Sequence, residues 1–177
     1  ISGLTTLGSA LAGGGAIKDL TGIEAFVALE NLDVGQNELT TVDLSKNTAL
    51  KILDIGDNKF TEIDLTKFVS LTNLNIQSNP LTTIDITKNV ELEEFQGSYI
   101  KFSSIDVSNN TKLKKLIING TDGDASSLST IDLSKNLELT NLGLKSNSLT
   151  SLDLTKQSKD KLTALDVSLN PFNCILV

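Results

Sequence analysis

A leucine recurs every 21 residues. Leu29, Leu50, Leu71, Leu92 and Leu113 are evenly spaced, and Leu139 and Leu162 continue the series after 26 and 23 residues. A fixed period of this length predicts stacked copies of one small unit, because a single copy cannot bury its own apolar face. Counted from the leading leucine, positions 1, 4, 6 and 9 read Leu, Leu, Ile/Leu/Val, Asn, as in Leu50, Leu53, Ile55, Asn58 and Leu71, Leu74, Ile76, Asn79. Positions 11, 14, 16 and 19 read almost the same way, as in Leu39, Val42, Leu44, Asn47 and Leu81, Ile84, Ile86, Asn89. The unit is therefore a nested pair of near-copies.

Within x-L-x-L-x, neighbouring side chains point to opposite faces of a strand. The residues at positions 4 and 6 turn inward, and those at 3 and 5 turn outward. Strands stack about 4.8 Å apart, so seven coils span roughly 35 Å. The position-9 asparagines, Asn37, Asn58, Asn79, Asn147 and Asn170, are assigned a structural role, bonding backbone groups that a turn leaves unpaired. The second half-unit also alternates and is rich in β-branched residues, which predicts short extended segments there rather than helices.

The pattern L-x-x-L-x-L-x-x-N-x-L resembles the leucine-rich repeat. More narrowly it is similar to the 21-residue variety of internalin-J-like and Bacteroidetes surface proteins, on the half-units "LTTVDLSKN", "LTTIDITKN", "LSTIDLSKN" and "LTSLDLTKQ". The resemblance covers residues 17–177. It implies a right-handed α/β leucine-rich repeat solenoid of the β-rich variant. A curved parallel sheet lines its concave side, with extended segments and turns on the convex side. It also implies a bacterial secreted or cell-surface protein engaged in adhesion or host contact. No repeat contains Leu-Pro, unlike the repeats of bacterial ubiquitin-ligase effectors.

Residues 1–28 are read as an N-terminal cap with a degenerate first coil, and 29–177 as an array of about seven coils. The absence of an initiator Met suggests a segment of a longer protein. The apolar end Ile175–Val177 is expected to fold back over the last coil unless further chain follows it. Cys174 is expected to be a small buried residue there.

Composition narrows function. All 15 basic residues are lysine, there is no His, and the net charge is −7. Nucleic acid is an unsuitable partner for such a chain, since phosphate binding rests on Lys/Arg clusters. Without His the commonest general base and metal ligand are missing. No apolar run approaches the roughly 20 residues of a membrane span. No cofactor or metal is expected, and the chain is read as a monomer.

Two acidic features invite a chemical reading. Position 15 is aspartate in six coils: Asp43, Asp64, Asp85, Asp106, Asp132 and Asp153. A stacked carboxylate row could bind cations or serve a glycosidase. Six identical copies cannot supply the differentiated environments catalysis needs, so these residues are read as structural. They bond and neutralise one another with the Ser or Thr two residues on and the Lys that follows in five copies (Lys46, Lys67, Lys88, Lys135, Lys156). The insertion at 121–126 carries Asp122 and Asp124 but fails the calcium-loop pattern, with Ser127 and Leu133 where Gly and Glu are required. It is read as a surface loop.

The outward face of the first strand varies from copy to copy, which the scaffold does not dictate. Its candidate partner-binding residues are Asn31, Ile52, Asn73, Glu94, Lys115 and Asn141 at position 3, and Asp33, Asp54, Asn75, Gln96 and Ile117 at position 5, with Lys145 at position 7. Acidic groups gather early (Asp33, Asp54, Asp57) and lysines later. Tyr99, the single tyrosine, stands at position 8 on the rim, outside every core position. In the same coil Gly97 replaces an aliphatic residue at position 6, which predicts room for a neighbouring Phe ring. The reading is a non-catalytic module that binds a protein or glycan through its concave sheet. The alternatives are a structural spacer, or a carbohydrate-binding or hydrolysing surface protein.

Overall fold

The computed structural model describes residues 3–8, 17–121 and 127–177. Asp122 and Asp124 lie outside the described residues. Strands β2 (Asn31–Asp33), β3 (Ile52–Asp54), β4 (Asn73–Asn75), β5 (Glu94–Gln96), β6 (Lys115–Ile117) and β7 (Asn141–Gly143) pair in parallel. Strand β1 (Thr6–Leu7) precedes them and β9 (Ala164–Asp166) closes the sheet, giving the order β1-β2-β3-β4-β5-β6-β7-β9. A 3-10 turn at Ile23–Ala25 precedes the first full coil. The fold is a parallel β-solenoid, as the repeat predicts.

Register follows the apolar pattern. Leu32, Leu53, Leu74, Phe95, Leu116 and Leu142 stand opposite one another from strand to strand. Each is at most 2 % exposed. A slip of one residue would turn this column to solvent, so burial alone specifies the pairing. The insertion between β6 and β7 leaves it intact, with Lys115 opposite Asn141.

Phe95 replaces the usual leucine, and Gly97 answers it. A Cβ on Gly97 would sit 2.7 Å from Phe95 Cε1 and 2.9 Å from Cζ. The ring occupies the volume that position 6 fills elsewhere, as expected.

Two asparagine ladders bind coil to coil, and they differ. At position 9, Asn79 donates from Nδ2 to the carbonyls of Ile55, Ile76 and Gln77, and its Oδ1 accepts the Phe60 N–H. Asn58, Asn147 and Asn170 repeat this pattern, and Asn37 Oδ1 accepts the Ile17 N–H. At position 19, Asn89 and Asn110 donate to two carbonyls of the preceding coil, yet their buried Oδ1 atoms accept nothing. The first ladder both donates and accepts, and the second only donates.

Among the described residues the convex side carries turns and short segments rather than helices, as expected. Strand pairing occurs there only between β8 (Ser151–Asp153) and β10 (Cys174–Leu176), among the described residues. In the earlier coils the same segments form turns and unpaired stretches, with single coil-to-coil bonds such as Lys59 N–H to the Leu39 carbonyl. Ile175 stands opposite Leu152, so the apolar end extends the array as the second half of its last coil instead of folding back. Cys174 is a correction as well. It is a free, exposed thiol, and all three residues of β10 are exposed, Ile175 included. Cys174 is expected to react rapidly and stoichiometrically with a maleimide in native buffer; protection until denaturation would contradict this placement.

Lysines pair with glutamates one coil earlier: Lys51 with Glu30, Lys59 with Glu38, Lys112 with Glu91, Lys114 with Glu93 and Lys161 with Glu138. Exposed pairs of this kind contribute little stability each, but they neutralise most of the flank.

Candidate partner-binding face

Strand register sets the position-3 and position-5 residues side by side as two rows on the open face of the sheet. At position 3, Ile52 is 40 % exposed. Asn31, Asn73, Glu94, Lys115 and Asn141 are half-buried. Asn73 and Asn141 each accept a hydroxyl bond from the preceding threonine, Thr72 or Thr140. Lys115 and Glu94 approach to 3.8 Å and offset each other.

Position 5 carries a device the sequence reading missed. Asp33, Asp54 and Asn75 each accept the backbone N–H two residues on, from Gly35, Gly56 and Gln77. These residues therefore hold their own turns with one oxygen, and the second oxygen of Asp54 accepts from Asn75 Nδ2 at 2.9 Å, as Asp57 Oδ2 does from Gln77 Nε2. Gln96 and Ile117 make no such bond, and Ile117 lies against Gly143, where a Cβ would come within 3.0 Å of Ile117 Cδ1. The Ser168 hydroxyl and N–H hold the Asp166 carboxyl below its ordinary value, and the charge of Lys145 adds a smaller pull in the same direction.

Gly35 and Gly56 leave a depression of about 240 Å³ bordered by Asp33, Asp54, Asp57, Asn75 and Gln77. Among the described residues no lysine lies within ion-pair distance of its three aspartates. Burial pushes the Asp54 carboxyl above its ordinary value, against the Asn75 amide and Gly56 N–H bonds that favour its charge, while Asp33 and Asp57 raise it further. The late lysines are offset and the early aspartates are not, so the face is one-sidedly acidic rather than split between two charges.

Tyr99 is 58 % exposed and its backbone is left-handed, with φ 59°. Its N–H bonds the Asn119 carbonyl. Gln36, Asp57, Ser78, Ser146 and Leu169, at the same position of other coils, share this left-handed backbone. The row is invisible in sequence because none of them is glycine, the usual marker. A bulky residue there carries a real conformational cost.

The convex aspartates bond their own turns. Asp64 Oδ1 accepts both the N–H and the hydroxyl of Thr66, at 2.9 and 2.7 Å, and Asp85 and Asp153 do the same with Thr87 and Thr155. Asp43, Asp106 and Asp132 accept the serine N–H at the equivalent place. These bonds favour the charged form and hold all six carboxyls below their ordinary value. A depressed folded-state value contributes stability above the ordinary aspartate value, about 3.9, and loses it as pH falls through the folded value. Carbon-detected NMR titration is expected to place these six below about 3.9 and Asp54 above it; equal values would contradict the bonding described. Among the described residues no group of three His, Cys, Asp or Glu is placed to hold a metal ion, and no helix is long and apolar enough to cross a membrane.

No protein-family model matches the chain, and no curated protein sequence does. Solved structures do. The functional domain of InlJ from Listeria monocytogenes, described as including a cysteine ladder, is 33 % identical with a TM-score of 0.75, over 96 % of this chain and 40 % of that one. This chain has a single cysteine and carries no such ladder. Internalin C2 of the same species is 18 % identical with a TM-score of 0.81, over 96 % of this chain and 73 % of that one. The ectodomain of the plant receptor kinase GASSHO1/SCHENGEN3 from Arabidopsis thaliana, solved with CASPARIAN STRIP INTEGRITY FACTOR 2, is 25 % identical with a TM-score of 0.71, over 88 % of this chain and 20 % of that one. The chain thus spans less than half of the InlJ domain and a fifth of the receptor ectodomain. With a 21-residue unit, a parallel solenoid and these neighbours, the chain is a leucine-rich repeat protein of the internalin-like kind.

Proposed function

We propose that the chain is a non-catalytic binding module that takes a protein partner on its concave sheet, as part of a secreted or surface protein used in adhesion. The observation that carries this is the contrast between a fixed register and two outward rows that change from coil to coil. A spacer has no use for that variation. Leucine-rich repeat neighbours are mostly binding or receptor modules, and the InlJ and internalin C2 likeness favours the bacterial surface. Residues 1–28 serve in this reading as the cap of the array.

Tyr99 anchors the contact. Tyrosine combines apolar area with a hydroxyl and is enriched among residues that dominate binding. Its exposure and left-handed backbone allow a clean test. Tyr99→Gly relieves the backbone cost and is expected to leave stability unchanged or raise it by up to about 1 kcal/mol, measured by urea unfolding. Combined with Glu94→Ala, it is expected to abolish capture of a partner identified by pull-down or glycan array. Full retention of binding would overturn the concave-face reading, and a loss of stability would make Tyr99 a packing residue.

A further inference from the structure

The lysine–glutamate pairs of the flank and of position 3 leave one part of the concave face unneutralised. Asp33 and Asp54 stand opposite each other on β2 and β3, above the depression floored by Gly35 and Gly56. A Cβ on Gly56 would come within 3.0 Å of the Asn75 amide, so a side chain there would crowd the floor. The three carboxylates are not drawn together as metal ligands. The opening fits a larger, softer cation: the ammonium or guanidinium at the tip of a partner side chain.

Asp57 and Tyr99 occupy the same left-handed row, with Ser78 between them. They are two coils apart, roughly 10 Å at about 4.8 Å per strand. An extended polypeptide advances about 3.4 Å per residue, so three residues bridge that distance. Resting on the concave-face reading above, we infer that the partner is an extended polypeptide laid along the solenoid axis, with a Lys or Arg side chain in the carboxylate-lined depression and an apolar side chain about three residues away against Tyr99. Charge complementarity selects this occupant. A neutral glycan leaves the carboxylates uncompensated, and an anionic polymer is repelled by them. The raised Asp54 carboxyl fits the same picture, since a bound cation would relieve its desolvation.

The test is a random linear peptide display library panned against the whole chain. Enriched peptides are expected to carry Lys or Arg two to four positions from an aromatic or branched aliphatic residue. Their affinity is expected to fall about tenfold or more with Asp33→Asn/Asp57→Asn and again with Tyr99→Gly, to weaken with added salt, and to be unchanged by Asp106→Asn on the convex face. Thermal melts of each variant separate lost binding from lost folding. Enriched peptides that depend on Tyr99 but carry no basic residue would overturn this inference and leave the concave-face reading standing. Peptides indifferent to all the concave variants would overturn both, and a library that yields no peptide would overturn the polypeptide partner.

Discussion

Asn79→Ala is expected to cost about 2–6 kcal/mol of unfolding free energy. Asn79 is 4 % exposed and makes four bonds, but not all are lost in the same sense. The Ile55 carbonyl keeps its second donor, Asn58, and the Gln77 carbonyl keeps the Asp57 N–H. The Phe60 N–H and the Ile76 carbonyl lose the partner they have. Two buried polar groups left unpaired, at about 1–3 kcal/mol each, give the range. Asn109→Ala is the control. Asn109 is an exposed asparagine with one bond, to the Thr87 carbonyl, and its loss is expected to stay below about 1 kcal/mol. Urea unfolding of both variants checks the prediction, and equal losses would remove the distinction between ladder and surface.

The second large effect lies in the Phe95 coil. Gly97→Ile restores the aliphatic residue found at position 6 of other coils, and is expected to destabilise by about 3 kcal/mol, because Phe95 already fills that space. Phe95→Leu alone is expected to lose about 1–2 kcal/mol through the cavity it leaves. The two together rebuild the common pattern, Leu at position 4 and Ile at position 6. Their combination is expected to recover to within about 1 kcal/mol of the parent, a strongly non-additive pair. Additive losses would show that the ring and the glycine are not exchanging volume.

Much of the fold was legible because the code is local and repeated. Leu53, Ile55 and Asn58 recur in register in coil after coil, and parallel pairing simply brings equivalents together. The aromatic core positions of Phe60, Phe95 and Phe102, each at most 1 % exposed, follow from the same alignment. The candidate face was legible only as two rows. That Asp33 and Asp54 spend one oxygen on the turns at Gly35 and Gly56 could have been suspected from the Asp-x-Gly spacing. That Lys115 and Lys145 are offset by Glu94 and Asp166 could not, because neither pairing lies within one unit.

By itself, the sequence determined the period, the strand register and the contents of the core. Each of these depends on which residues of one coil are apolar, and apolar area buries itself in the only stacking that covers it. The tertiary structure alone decided the left-handed backbone at Tyr99, the saturation of one asparagine ladder but not the other, the pairing of β8 with β10, and the exposure of Cys174. Each of these depends on which groups of one coil meet those of its neighbours. Those contacts lie between units, and no single repeat encodes them.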